Sequence, residues 1–234
     1  DHHYYYQDYD KFRVGYTVWE TTEYPDKFFQ STKNYDQLWV ASQWQKDCIV
    51  KQGYKEEDVK VVPEAVDGRV FYPSNSATLP EYDDGRFKFL VFGRWDYRKS
   101  TKEIIEAFLE VFDKDEPVDL VLSIDNMWAN DGFKTTEDRL KHYKLNDPRL
   151  KIKHFPSRDE YVKYLQKGHV FLSCARAEGW NLPLIEAMAC GTPSIYSNCS
   201  AQLEFAKGKG HPVKIVKEVP AIGGEYFSYS QTEL

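Results

Sequence analysis

Residues 177–193 read AEGWNLPLIEAMACGTP, and the interpretation of the whole chain begins with them. A carboxylate, Glu178, stands on a Gly-containing turn directly after a strand-like apolar run at 170–174. Pro183 is typical of the first turn of a helix and Gly191 of its end, so we expect a helix that begins near Leu182 or Pro183. The stretch therefore predicts a strand, a tight turn and a helix in succession.

The turn and helix start have the chemistry of an anion site. Backbone N–H groups at the beginning of a helix bind phosphate, especially beyond the carboxyl end of a parallel strand. Two carboxylates, Glu178 and Glu186, stand beside this site and would repel phosphate unless they face other groups. Sugar hydroxyls are such groups, because a carboxylate only accepts hydrogen bonds and two neighbouring hydroxyls can donate to both of its oxygens. The pattern indicates a phosphate with a sugar on either side, which is a nucleotide-sugar.

Residues 178–193 fit the pattern E-G-x-x-L-P-L-x-E-A-M-A-x-G-x-P, which resembles the paired-glutamate signature of retaining GT-B glycosyltransferases in the family 4-like group (glycosyl transferases group 1). The resemblance implies that Glu178 contacts the transferred sugar and that Glu186 holds the ribose hydroxyls. The expected donor-binding residues of the turn are Gly179, Trp180, Asn181 and Leu182. Asn181 replaces the usual Gly, although Asn tolerates unusual backbone angles. The spacing of the two glutamates alone is more often a solvated helix, but the whole run favours the functional interpretation.

Length and composition set broad limits. The 234 residues suffice for one large domain or two smaller ones, and 31 basic against 37 acidic residues give a net charge of -6. This balance argues against a nucleic-acid surface or a strongly basic membrane face. We find no apolar run of transmembrane length, no signal peptide and no CxxC spacing. Reduced cysteines in a cytoplasmic protein are the simplest expectation.

The sequence pattern in the first third of the chain predicts strands at 11–20, 35–42 and 59–62, with a helix at 43–52. This βαβ rhythm indicates a parallel sheet, although three strands are too few to close a doubly wound domain. The segment resembles the last portion of the family's N-terminal domain. The first half of that domain, which in the family carries the acceptor pocket, is expected to be missing, so we expect the sequence to be an excerpt of a longer one.

The remainder predicts a Rossmann-like, α/β parallel-sheet domain. We expect a partial N-terminal domain at 1–73, a linker at 74–85 and a C-terminal nucleotide-sugar donor-binding domain at 86–234. The predicted strands of the last domain lie at 87–92, 118–124, 151–155, 170–174, 194–197 and 213–216. Two pairs, Ser100 with Glu103 and Ser157 with Glu160, have the capping-box spacing that begins a helix.

A basic turn follows the first of these strands. Cations before a helix N-terminus are unfavourable by roughly 0.3–1 kcal/mol each, so a negative group should compensate them. Gly93, Arg94 and Lys99 resemble the family's G-R-x-x-x-x-K element, which holds the donor pyrophosphate, with Ser100 replacing the usual Gly. The alternative is a solvated basic turn that pairs with Asp96.

Three other features are weaker candidates. A D-x-D sequence, Asp8-Tyr9-Asp10, and a histidine pair, His2 and His3, precede the first strand and are more often solvated surface than metal ligands. Phe155 follows a strand where the family contacts the nucleobase, largely through the backbone. We therefore expect neither a metal nor another cofactor.

These observations predict a retaining hexosyltransferase that uses a nucleotide-sugar donor and a hydroxyl acceptor, which could be a glycan, lipid or protein. Arg94 and Lys99 would stabilise the leaving diphosphate, and Glu178 would orient the sugar. We expect these 234 residues to keep a donor site in an open groove without being a competent enzyme alone. One alternative is a non-catalytic nucleotide-sugar-binding module. A dinucleotide oxidoreductase is weaker, because the first strand is not followed by G-x-G-x-x-G.

Overall fold

The computed structural model describes residues 11–74, 84–129, 131–221 and 229–233. The D-x-D sequence, the histidine pair and nearly all of the predicted linker lie outside these residues. The described strands form a three-stranded sheet, a six-stranded sheet and a two-stranded hairpin.

The first sheet is parallel, with strand order β1-β2-β3. Its elements are β1 (Val14–Thr17), α1 (Asp26–Thr32), β2 (Gln37–Val40), α2 (Gln43–Lys51), a short 3-10 helix (Glu56–Asp58) and β3 (Val59–Val61). Leu38 and Val40 of β2 and Ile49 of α2 are buried together, so the helix packs back on the sheet. Ser42 begins α2, since its hydroxyl accepts the N–H of Gln45. The predicted βαβ arrangement is confirmed, and α1 is an addition that the sequence pattern did not indicate.

The second sheet has six parallel strands in the order β6-β5-β4-β7-β8-β9. Its strands are β4 (Phe87–Phe92), β5 (Val118–Ser123), β6 (Leu150–Ile152), β7 (Val170–Ser173), β8 (Ser194–Ser197) and β9 (His211–Val213). Its helices are α3 (Thr101–Val111), α4 (Thr136–His142), α5 (Arg158–Lys167), α6 (Leu182–Ala189) and α7 (Leu203–Ala206). Apolar layers cover both faces: α3 and α4 pack on one, and α5 and α6 on the other. This doubly wound arrangement is the Rossmann-like domain that the sequence predicts.

The strand order reverses beside β4. Phe89 of β4 pairs with Leu120 of β5 on one side and with Val170 of β7 on the other. The loops that follow β4 and β7 therefore lead to α3 and α6 on opposite faces of the sheet. In open α/β sheets such a switch point leaves a crevice at the carboxyl ends of the strands, where ligands bind. The basic turn after β4 and the Glu178 turn after β7 both lie at this crevice.

Two predicted features at the end of the sheet are corrected. The last strand is His211–Val213 rather than 213–216, because Pro212 aligns with Tyr196 of β8 and the Asn198 N–H closes the pairing on the Val213 carbonyl. The chain then leaves the sheet, and Val216 is exposed. An antiparallel hairpin follows, which the sequence analysis did not predict; it consists of β10 (Lys217–Ala221) and β11 (Tyr229–Glu233).

The Ser157 cap is confirmed, because its hydroxyl accepts the N–H of Glu160 at 3.2 Å. The Ser100 cap is wrong. Ser100 has a left-handed backbone, with φ 51° and ψ 34°, so its side chain does not cap α3. Its buried hydroxyl has no hydrogen-bond partner among the described residues, and Glu103 binds Arg176 instead. The left-handed geometry explains why the related pattern has Gly at this position.

Candidate functional site

The site at the crevice is built around the Glu178 carboxylate. Lys99 Nζ lies 2.5 Å from Glu178 Oε1, and Arg98 Nη1 lies 3.0 Å from Oε2. A second carboxylate, Glu20, approaches Arg98 at 3.3 Å from the loop after β1. We call Glu20, Arg98, Lys99 and Glu178 the ionic cluster. It joins the three-stranded sheet to the six-stranded sheet, and the Glu178 side chain within it is only 5% exposed.

Backbone contacts fix the two loops that carry the ionic cluster. Arg98 Nη1 donates to the Ala177 carbonyl at 2.8 Å, and the Arg176 N–H donates to the Arg98 carbonyl at 2.7 Å. The Glu178 N–H donates to the Ser200 hydroxyl at 2.9 Å. These hydrogen bonds hold the basic turn and the Glu178 turn in place. The charged side chains that the two turns carry are therefore kept in contact.

Electrostatics keep the cluster charged. Burial would raise the pKa of the Glu178 carboxyl, but Arg98 and Lys99 reverse this and hold that pKa below its ordinary value. Burial lowers the pKa of Lys99, and Glu178 offsets only part of the effect. Although burial also opposes the charge on Arg98, the Glu178 and Glu20 carboxylates raise the pKa of that guanidinium. A buried carboxylate between two cations is therefore ionised at neutral pH.

The structure brings Lys99 and Glu178, which were predicted to bind different parts of the donor, into direct contact. It also adds Arg98 and Glu20, which the sequence did not single out. Arg98 precedes Lys99 in the same basic turn, and that proximity was the available signal. Asp96 does pair with this turn, as the alternative interpretation expects, but it does so through the backbone: the Asp96 carboxylate accepts the Arg98 backbone N–H at 2.8 Å. Within the donor groove that is expected to be open, the ionic cluster buries the Glu178 carboxylate, whereas Arg94 and Leu182 are exposed.

Arg94 has a different environment from Lys99. It follows Gly93, which has a φ of 144°, a backbone angle that strains any residue with a side chain. The Arg94 side chain is exposed. Within the described part of the chain, the Arg94 guanidinium makes no ion pair or hydrogen bond. The Thr101 hydroxyl fixes its backbone carbonyl at 3.2 Å. Arg94 is thus a cation at the mouth of the crevice whose donors can reach a ligand.

The turn after Glu178 is shaped by close packing. A Cβ at Gly179 would collide with the Val18 side chain and would lie 2.8 Å from the Trp19 carbonyl oxygen, so only Gly allows the loop after β1 to approach. Asn181 has φ 85°, and its amide donates to Ser173 Oγ at 2.8 Å and to Gln202 Oε1 at 2.7 Å. Asn181 therefore adopts the left-handed geometry that a Gly would provide and locks it with hydrogen bonds.

The two other turn residues have different exposures. Trp180 is buried and its ring lies 5.3 Å from that of Phe205, so its indole packs on α7 rather than reaching the ligand crevice. Leu182, at the start of α6, is exposed. Of these two predicted donor-binding side chains, Trp180 is therefore in the core and Leu182 is open to solvent.

Glu186 lies on α6, apart from the ionic cluster. The Tyr161 hydroxyl donates to Glu186 Oε2 at 2.7 Å, and Arg158 Nη2 lies 3.5 Å from Oε1. Burial raises the pKa of Glu186, while Tyr161 and Arg158 partly oppose this. The Arg158 guanidinium also sits 4.9 Å from the centre of the Phe71 ring. Both partners were missed, although Arg158 and Tyr161 are one turn apart on α5 and could have been recognised as one face.

Phe155 contributes packing rather than a free ring. Its ring lies 5.0 Å from Phe92, 5.4 Å from Tyr161 and 5.2 Å from Tyr164, so it is part of the core layer under α5. A contact between this segment and a nucleobase would therefore use the backbone, as the resemblance implies.

No described group of three or more His, Cys, Asp or Glu side chains could hold a metal ion. Among the helices that the structure describes, none has the length and apolar character needed to cross a membrane.

The sequence profile of the family described as "Glycosyl transferases group 1" matches residues 78–212, more than half of the chain. The chain belongs to this family. It is 46% identical over 52 residues to "Putative glycosyltransferase 48" of Sulfolobus islandicus filamentous virus, a match that covers 21% of the chain and 17% of that protein. It is 24% identical over 169 residues to "Putative glycosyltransferase ORF330" of Acidianus filamentous virus 2, covering 72% of the chain and 48% of the relative.

Solved structures show the same fold at low sequence identity. Anabaena Alr3699/HepE in complex with UDP-glucose superposes with a TM-score of 0.72 at 16% identity, over 86% of this chain and 58% of that one. Sucrose-phosphate synthase from Thermosynechococcus elongatus superposes with a TM-score of 0.64 at 22% identity, over 81% of this chain and 49% of that one. The chain thus spans about half the length of these proteins. The predicted family and the predicted GT-B type fold are both confirmed.

Proposed function

We propose that this chain binds a nucleotide-sugar and that it serves the transfer of a hexose to a hydroxyl acceptor with retention of anomeric configuration. The observation that carries the proposal is the ionic cluster at the switch point, with Arg94 exposed beside it. Family membership supports glycosyl transfer, and HepE was solved with UDP-glucose. The donor, acceptor and stereochemistry are part of the proposal.

The cations would bind the leaving diphosphate. Arg94 presents a fork of donors to phosphate oxygens, and Lys99 has three N–H donors, so it can keep Glu178 and bind phosphate together. The N-terminus of α6 adds its positive dipole end on the other side of the crevice. With Arg94, the cluster has three cations against two carboxylates, which favours an anionic ligand. Positive charge placed where the leaving group develops its own charge lowers the barrier, so the proposal needs no metal ion.

Glu178 would orient the transferred sugar rather than attack it. Each of its oxygens already contacts a cation, Oε1 with Lys99 and Oε2 with Arg98, and each retains capacity to accept a sugar hydroxyl. A carboxylate stabilised in this way is a weak nucleophile. Retention would then follow the front-face route that the family resemblance implies, with no covalent sugar on the protein.

Glu186 would accept the ribose hydroxyls. Its carboxylate is held from one side by Tyr161 and Arg158, which leaves lone pairs on both oxygens for a diol. Phe155 and its neighbours would contact the base through the backbone. The sugar, diphosphate and ribose of one donor would thus lie along the crevice from Glu178 to Glu186.

A coupled binding and turnover experiment tests the proposal. We expect calorimetry to show UDP binding to the purified chain. Incubation with UDP-glucose and an acceptor panel, followed by NMR of the product's anomeric proton, then reports transfer and stereochemistry. Donor binding without transfer, also with a longer chain that includes the rest of the first domain, would favour the non-catalytic binding module. Absence of UDP binding at millimolar concentration would refute the donor site for this nucleotide.

A further inference from the structure

A cavity of ≈ 370 Å³ lies between the two sheets on the β8 side of Glu178. We infer that it is a subsite for a neutral sugar, and that the acceptor is therefore a saccharide. This inference rests on the proposed function, because it assigns the acceptor class of the same crevice. The residues on which the argument depends are Thr22, Trp44, Ala177, Asn198, Ser200 and Glu218.

The position of the cavity suits an acceptor. It is bounded by the loop after β1, the first turn of α2 and the loop after β8, which lie at carboxyl ends of parallel strands, and by residues 215–218, which follow β9 and begin β10. Ala177 lines it, and the Ser200 hydroxyl on its wall accepts the Glu178 N–H. A molecule in the cavity would therefore lie beside the residue proposed to hold the donor sugar.

The walls have the chemistry of sugar recognition. Trp44 offers a half-buried indole, and the axial C–H bonds of a pyranose form an apolar face that packs on such a ring. Asn198 provides an amide that both donates and accepts, Ser200 a hydroxyl, and Glu218 a carboxylate that accepts from sugar hydroxyls. One aromatic platform with a few polar groups of both kinds is typical of a small-ligand site.

Charge favours a neutral ligand over an anionic one. Arg176 also lines the cavity, but its guanidinium donates to the Tyr97 carbonyl at 3.0 Å and to Glu103 at 2.7 Å, so it is directed at other groups. Lys217 and Glu218 contribute opposite charges at the rim. Among the described residues that line the cavity, each cation therefore has a carboxylate to oppose it, so none is left to attract a phosphate or carboxylate ligand.

The platform is held in place. The Trp44 backbone N–H, at the start of α2, donates to the Glu204 carboxylate on α7 at 3.2 Å. This contact fixes α2 to the six-stranded domain on the side where the cavity opens. The indole is thus presented at a set distance from the loop after β8, as a rigid binding surface requires.

Saturation-transfer NMR with neutral methyl glycosides, namely methyl α-D-glucopyranoside, methyl α-D-mannopyranoside and methyl β-D-galactopyranoside, tests the inference in the presence of UDP. At least one glycoside should bind the parent chain. Trp44→Ala should weaken that binding by about tenfold or more, and Trp44→Phe should retain most of it. Trp128→Ala, at a tryptophan that is 80% exposed and outside the cavity, is the matched control and should have no effect.

UDP affinity separates this inference from the proposed function. All variants should bind UDP within about twofold of the parent. UDP binding without any glycoside binding, or equal glycoside affinity in Trp44→Ala and Trp128→Ala, would overturn the saccharide subsite and leave the donor site standing. Loss of UDP binding in the parent would overturn both. If circular dichroism showed that Trp44→Ala is misfolded, Asn198→Ala, at an exposed position, should still weaken glycoside binding several-fold, and no change there would overturn the subsite.

Discussion

Replacing Glu178 with Gln removes the one carboxylate that contacts both Arg98 and Lys99. The Lys99 and Arg98 side chains are then buried together, and the only remaining carboxylate of the ionic cluster is Glu20, whose side chain is 28% exposed. Breaking a buried ion pair by removing one partner costs on the order of 3–5 kcal/mol, because a charge is left uncompensated. The free energy of unfolding should fall by about that amount, a large share of the about 5–15 kcal/mol typical of a domain.

Urea denaturation followed by circular dichroism measures this change, provided that the m-value is unaltered. The matched control is Glu106→Gln, which removes the partner of Lys102 in a pair whose two side chains are 38% and 45% exposed. An exposed pair of this kind should cost no more than about 1 kcal/mol. Equal losses in Glu178→Gln and Glu106→Gln would refute the idea that the cluster is a tightly coupled, buried group of charges.

The same variant changes the pH dependence in a defined direction. The pKa of Glu178 is lower in the folded state than in the unfolded chain, so its stabilising effect is present above about pH 4.3. That effect is lost as the pH falls through the folded-state pKa. The parent should therefore lose more stability than Glu178→Gln when urea midpoints are compared between neutral pH and about pH 3. If the parent and Glu178→Gln lost the same amount of stability between these two pH values, the lowered pKa assigned to Glu178 would be contradicted.

Two further predictions concern the ribose side and the packing between the sheets. Glu186→Ala should weaken UDP binding at least about tenfold, since each charge-assisted hydrogen bond is worth about 1.5–3 kcal/mol. Tyr161→Phe should weaken UDP binding only several-fold, because it leaves the Glu186 carboxylate in place but less well oriented. If calorimetry showed a larger loss for Tyr161→Phe than for Glu186→Ala, the assignment of Glu186 as the ribose-binding residue would be contradicted. Gly179→Ala should lower the thermal midpoint by several degrees, because the new methyl group collides with Val18 and Trp19. A Cβ at Gly53 would meet no atom within 4 Å, so Gly53→Ala should lower the midpoint only through the strain of its positive φ. A larger loss at Gly53 would show that the clash is relieved without cost.

The local pattern around α6 was sufficient to predict its structure. A strand, a left-handed turn residue, Pro near the first position and Gly after the end specify a strand-turn-helix unit without tertiary information. The strand Phe87–Phe92 was likewise predicted with its observed bounds, because a strand covered on both faces has a nearly continuous apolar sequence. The shorter strand Ser194–Ser197 was also predicted with its observed bounds.

The pairing of charges could not be predicted in the same way. Lys99 and Glu178 are 79 residues apart, and only the reversal of strand order beside β4 brings their loops together. Glu20 reaches Arg98 from another sheet altogether. Ser100 has the spacing of a helix cap, yet the turn before it requires a left-handed residue, so backbone geometry overrides the side-chain preference. Trp44 and Asn198 have no common motif, and only the packing of α2 against the loop after β8 makes them walls of one cavity.

We propose that the cations at the crevice bind the diphosphate of a nucleotide-sugar. Calorimetric titration of UDP and of uridine, with the parent chain and with Arg94→Ala, tests this binding. We expect Arg94→Ala to weaken UDP binding at least about tenfold and to leave uridine binding within about twofold, because the lost contacts are to phosphate. Equal losses for UDP and uridine, or no loss for either, would contradict it.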